Sequence, residues 1–213
     1  MHGTGSGPLH PVVSVPTSMY TAAVETSERL IDSAAELLWE RGYVGTSPRA
    51  IQERAGAGQG SMYHHFRGKS DLAEAAMRRS AEQLRAQAEA QLATGRTAQE
   101  KAAAYLLRER DALRGCRVGR MAMDPDVIAS EQLRAPVRET FDWLTGRLAA
   151  IVAEGVASGE LREGLDPDDT AAAIVAVVQG GYVLARAAGS QEPFDRAVRG
   201  AVALLAAQAA PGR

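Results

Sequence analysis

The chain has 213 residues, 46% hydrophobic and 23% charged, the balance of a soluble globular protein with material for one sizeable core or two small ones. Its formal net charge of −2 excludes a global basic field, so affinity for nucleic acid has to come from a local patch. A single cysteine, Cys116, excludes an internal disulfide and fits a reducing cytoplasm.

Residues 1–20 are rich in Gly, Pro and Ser and lack the basic start and long apolar stretch of a signal peptide. They read as a disordered arm, and Met19 is a candidate natural start. No run of 18 apolar residues occurs, so no membrane span is expected.

From about Thr21 the pattern is helical. Leu30, Ile31, Ala34, Leu37 and Leu38 recur at helical spacing, and Gly42 is placed to end that helix. Ser47 is a good N-cap, with Pro48 at the first helical position, where its missing N–H is harmless. Ala50, Ile51 and Ala55 give a short apolar face that Gly56 closes, and a second short helix runs from about Gly58 to His64. Two short helices joined by a Gly turn are the helix-turn-helix layout, and the first helix supplies the third wall of a small core.

Longer helices follow, over Asp71 to about Leu92, Gln99 to Arg114 and Glu131 to Ser158. Thr97 and Glu100 have capping-box spacing. A short helix is expected over Arg120 to Met123, and Pro136 should kink its helix or mark the true first turn. Asp166-Pro167 opens a further helix, with Ala171, Ile174, Val175 and Val178 as its stripe, and Val198, Ala201, Val202 and Leu205 mark the last. The expected fold is all-α: an arm (1–20), a three-helix helix-turn-helix head (21–68) and a larger helical body (69–213).

The segment Thr46 to Leu72, TSPRAIQERAGAGQGSMYHHFRGKSDL, is the informative one. From Thr26 to Leu72 the chain resembles the DNA-binding head of the TetR family. The likeness is carried by Gly42-Tyr43, Thr46-Ser47, Ile51, Ala55-Gly56, Gly60-Ser61, Tyr63-His64-His65-Phe66 and Lys69. Two positions depart from the common pattern: Gly58, where a Ser or Thr cap is usual, and Gln59, where Lys is frequent.

The chemistry agrees with that resemblance. Gly60 allows close approach to a major groove, and Gln59 and Ser61 are polar groups able to reach base edges. Tyr63 and His64 can donate to phosphate oxygens, fixing register without reading sequence. Ser47, Arg49 and Lys69 stand at helix starts, where N–H groups and positive charge both favour phosphate. From Arg49 to Arg85 there are seven basic against four acidic residues, whereas Glu160 to Asp169 has five acids and one arginine.

Phe66 reads as core of the head, and Tyr63 as core or DNA contact. His64 and His65 are adjacent, face different directions and have no third ligand near, so no metal is expected. Cys116, flanked by Arg114, Arg117 and Arg120, reads as a small buried residue or, if exposed, a reactive thiol.

Tyr105, Cys116, Met121, Met123, Phe141, Trp143, Gln179 and Tyr182 are candidates for a ligand pocket in the body, though each also reads as plain core. The stretch Gly115 to Ala122 is similar to one in TetR relatives that sense flavonoid-like or other apolar compounds, which implies a small apolar or aromatic ligand. The resemblance further implies that the last two helices, about 166–188 and 193–209, pair with their copies in a homodimer.

The expected function is therefore a cytoplasmic repressor, released from a near-palindromic operator by a ligand. An activator, or a regulator without a small-molecule inducer, is the alternative. No nucleophile–base–acid set, metal spacing or phosphate-cradling loop is present in the sequence, so neither catalysis nor a cofactor is expected.

Overall fold

The computed structural model describes residues 17–58 and 60–210, with side chains from residue 24 onward. Most of the expected arm and Gln59 lie outside the described residues. Helix α1 (Thr17–Arg41) already includes Thr17–Tyr20, which the sequence pattern suggests belong to the arm.

The head follows the local signals closely. Ser47 caps α2 (Pro48–Ala55) by accepting from the Ala50 N–H, and Gly56 ends it in the left-handed conformation (φ 60°) that a side chain would resist. Helix α3 (Ser61–His65) is a single short turn ahead of α4 (Lys69–Leu92). Leu30, Ala34, Leu37 and Leu38 of α1 pack on Ile51, Ala55, Met62, Leu72 and Ala76, the core of the three-helix head.

Helix α5 (Ala98–Leu107) starts with the expected capping box of Thr97 and Glu100. A second grip comes from far away in sequence, where the Glu160 carboxylate accepts from the N–H groups of Ala98 and Gln99, both at 2.8 Å. The helix ends at Leu107 rather than the expected Arg114. Arg110 folds back and donates to the carbonyls of Tyr105, Leu106 and Arg108, satisfying groups that further helix would have bonded.

Short helices α6 (Arg117–Met121) and α7 (Pro125–Ala129) come next, capped by Cys116 and Asp124. The expected 120–123 helix thus lies slightly earlier. Helix α8 (Glu131–Ala157) contains Pro136 in its interior, where the missing N–H removes the helical donor to the Gln132 carbonyl, and Thr140 Oγ1 donates to the Pro136 carbonyl at 2.6 Å. Helices α9 (Pro167–Ala188) and α10 (Glu192–Ala206) complete the body. Among the described residues there is no strand, only an isolated bridge between Leu161 and Ala209.

Burial is organised around two clusters. The body cluster joins Leu92, Leu106, Leu144, Leu148, Ile174, Tyr182 and Phe194. The head cluster does not stop at residue 68: Val118, Met121, Val127, Leu133 and Val137 complete it. Cys116 and Phe141 touch both clusters. By length and composition α9 could cross a membrane, but its buried stripe packs on α8 and α10.

Candidate DNA-binding face and ligand cavity

On α3 the side chains divide by direction. Met62 is fully buried in the head core, whereas Tyr63 is 62% exposed and His64 is exposed beside it. Phe66 is half-buried against the core. Ser61 is half-buried at the start of the turn, and a Cβ built on Gly60 would meet nothing within 4 Å. Internal packing therefore does not require the glycine, so any close approach that does require it comes from outside the chain.

The flanking cations behave differently from one another. Arg49 projects from α2 and pairs with Glu53 at 2.8 Å, both strongly exposed. The Ser47 hydroxyl is occupied by its capping bond. The Lys69 ammonium lies 3.9 Å from the centre of the Tyr43 ring, and burial lowers its pKa against the opposing pull of Asp124 and Asp126. Arg67, which is not among the candidates named from the sequence, is well exposed and pairs with Asp71 at 3.2 Å. Its signal was its place among the basic residues before Lys69.

Much of the basic excess counted in the sequence is neutralised. Arg54 pairs with Glu40, Arg78 with Glu74 and Glu139, and Arg79 with Glu28 and Asp32. Arg49 and Arg67 are paired as well, with Glu53 and Asp71, so on the α2–α3 face they offer exposed guanidinium groups that a phosphate would have to win from a carboxylate, whereas Lys69 is in no ion pair among the described residues.

A cavity of about 370 Å³ opens where head meets body, between the end of α1, the α6–α7 segment and α9. It brings together Cys116, Met123, Gln179 and Tyr182 of the expected pocket residues. A Cβ on Gly119 would collide with the Gln179 carboxamide, so the glycine makes room for that side chain. The other candidates lie elsewhere. Met121 is fully buried in the head cluster and Tyr105 in the body core under Arg110, while Phe141 and Trp143 are partly buried packing residues. Met123 is 78% exposed at the cavity mouth. The lining is also less apolar than the sequence suggests, since Arg41, Arg120 and Arg186 border it.

A neighbouring cleft of about 250 Å³ shares Gly115, Cys116 and Tyr182 with this cavity and reaches Trp39 and α4. Burial raises the pKa of Tyr182 strongly, so its hydroxyl stays neutral. Cys116 Sγ accepts from the Gly119 N–H at 3.2 Å, the cap of α6.

Two contacts tie this region to the head. The guanidinium groups of Arg114 and Arg117 lie over the ring of Trp39 of α1, 3.4 and 4.0 Å from its centre, and the Trp39 Nε1 donates to the Gly115 carbonyl at 3.0 Å. Glu36 accepts from both arginines. Burial alone would raise its pKa, but those two hydrogen bonds and charges outweigh it and hold the carboxyl below its usual value. The second tie is Asp124, which borders the cavity and accepts from the Val44 N–H at 3.0 Å.

Opposite the buried stripe of α9, Ala172, Ala173, Ala176, Gly180 and Leu184 are exposed, as is Val183, which also borders the cavity, and Leu204 of α10 is 70% exposed. An apolar face of this kind is unusual on a helix that has only water beside it.

Comparison with known proteins gives a consistent result. The model of the tetR family of bacterial regulatory proteins matches residues 30–76, and the tetracyclin repressor-like C-terminal domain matches residues 96–201. The fatty acid metabolism regulator protein of Bacillus subtilis is 28% identical over 139 residues, 65% of this chain and 72% of that protein. A TetR transcriptional regulator from Chloroflexus aurantiacus superposes with a TM-score of 0.79 at 29% identity, covering 89% of this chain and 98% of its own. The TetR family regulator CifR, solved as a cysteine mutant with 26-base-pair double-strand operator DNA, superposes with a TM-score of 0.72 at 22% identity, over 84% of this chain and 95% of that one.

Proposed function

The chain belongs to the TetR family of DNA-binding transcriptional regulators, and from that premise we propose that it is a homodimeric repressor released from its operator by a small molecule. The observation that carries the DNA-binding role is the division of α3: Met62 anchors the helix while Tyr63 and His64 face outward. In this reading Gln59, Gly60 and Ser61 approach base edges, and Ser47, Arg49, Tyr63, His64 and Lys69 hold phosphates, with Arg67 as an addition.

The exposed apolar face of α9 and α10 supports dimerisation, because a second copy would cover it and place two heads on one side of the duplex. Two such heads read half-sites about 34–36 Å apart, which makes the operator near-palindromic. Activity is binding rather than catalysis, and a DNA target places the protein in the cytoplasm.

The cavity at the head–body joint is the proposed inducer site. Its wall contains Gly115, which holds Trp39, and Asp124, which holds Val44, so a molecule there acts on two ties to the head. A ligand that binds one arrangement of those ties better than the other shifts the population of heads spaced for DNA. Band-shift titration with DNA upstream of the chain's own gene tests this. A specific shift at low salt supports it, and its absence contradicts it. A reporter on the same promoter gives the sign, and expression that rises on deletion is the outcome for a repressor.

A further inference from the structure

We propose that the head–body cavity binds a small organic anion, whose carboxylate or phosphate is gripped by Arg120 and Arg186 with Arg41 at the rim. This deepens the ligand-release reading, and it rests on that reading only for its consequence at DNA.

Most arginines among the described residues are engaged: Arg54, Arg79, Arg114, Arg117, Arg138 and Arg147, for example, all reach carboxylates within 3 Å or so. Among the described residues Arg120 and Arg186 form no hydrogen bond or ion pair, and Arg41 has only a longer-range attraction to Glu40, yet all three line one cavity. Asp124 is the one carboxylate in that lining against three guanidinium groups, and no ion pair among the described residues joins it to them, so a net positive charge is left in the cavity. Arg120 registers this directly, since burial and then Arg186 both lower its pKa.

The remaining polar groups point the same way. Asp124 is the carboxylate in the wall, but its two oxygens already accept from Val44 and Asp126 N–H groups. The Gln179 carboxamide and Tyr182 hydroxyl border the cavity without a hydrogen-bond partner. The free capacity of the site is therefore dominated by donors, and the group that satisfies donors and neutralises guanidinium is an oxyanion. Met123, Pro125 and Val183 at the margin offer apolar surface for an organic body, and about 370 Å³ falls in the range of small-molecule sites.

Isothermal titration of the full-length protein with matched probes tests this at fixed ionic strength: octanoate against octanamide, benzoate against benzamide, phenyl phosphate against phenol, and inorganic phosphate alone. The expected result is saturable binding of at least one organic anion with Kd below about 1 mM. Its neutral partner, and the R120Q and R186Q variants, should each bind about tenfold more weakly. Circular dichroism melting establishes that the variants fold. Equal binding of neutral and anionic partners, unaltered binding by both variants, binding of inorganic phosphate only, or no probe tighter than about 1 mM would each overturn the proposal. The band shift separates the two levels. Arginine-dependent anion binding that leaves DNA affinity unchanged removes ligand release but keeps the anion site. DNA release by neutral probes does the reverse.

Discussion

Replacing Trp39 with Leu should loosen the head from the body, and the size of the effect can be worked from the contacts. Trp39 is held by two stacked guanidinium groups at 3.4 and 4.0 Å and donates one hydrogen bond to Gly115. A cation–π contact at a half-exposed site is worth about 0.5–1 kcal/mol, and more where water is excluded. One hydrogen bond adds about 0.5–1.5 kcal/mol. The W39L variant should therefore lose about 2–3 kcal/mol of unfolding free energy. W39F keeps an aromatic face and should lose about 1 kcal/mol, the hydrogen bond alone. Urea denaturation at constant protein concentration measures both, since dimerisation would otherwise move the midpoint. Because the contact joins α1 to the cavity wall, W39L should also reduce the change in DNA affinity that a bound ligand produces. A W39L loss below about 0.5 kcal/mol, or W39F equal to W39L, would refute the stacking argument.

Other perturbations have equally definite outcomes. Tyr63→Ala should weaken operator binding by about tenfold to a hundredfold, the value of a hydrogen bond to a charged oxygen, with little change in salt dependence; Lys69→Gln should instead lower the slope of log K against log salt by about 0.9 per subunit in a fluorescence titration. Leu184→Arg with Leu204→Arg places charge on the exposed face of α9 and α10 and should convert a dimer to monomers in sedimentation velocity, while circular dichroism stays helical. Glu160→Ala removes the carboxylate that accepts from Ala98 and Gln99 and should cost about 2–4 kcal/mol in urea unfolding. Glu36 has a folded-state pKa below its unfolded value, so its contribution is present above about pH 4.3 and is lost as pH falls through the lower folded value. Glu36→Gln should accordingly flatten the acid limb of the stability profile and leave its alkaline limb unchanged.

Local chemistry made much of the architecture legible. Ser47 before Pro48, Asp166 before Pro167, and Thr97 three residues ahead of Glu100 each place a side-chain acceptor on an orphan N–H, and each opens a helix where expected. What escaped the sequence depends on partners distant along the chain. The end of α5 is set by Arg110 turning back onto its own carbonyls, which no propensity encodes. Met121 read either as a pocket residue or as plain core, and α6 packs it into the head core. Arg41, Arg120 and Arg186 became significant only when the ion pairs of the other arginines were known, because an arginine in a sequence does not reveal whether a carboxylate waits for it. Tyr63 stayed open between core and DNA contact in the sequence, because only the packing shows that Met62, its neighbour on the short helix, takes the core position and leaves Tyr63 exposed.

The central claim, a dimer that reads DNA through α3, is tested most directly by selecting bound sequences from random duplex DNA with the purified full-length chain at physiological salt. The account predicts enrichment of two half-sites related by two-fold symmetry, with centres about one helical turn or a multiple of it apart, and loss of that enrichment in Tyr63→Ala. Unsymmetrical single sites, or no enrichment above the random pool, would contradict it.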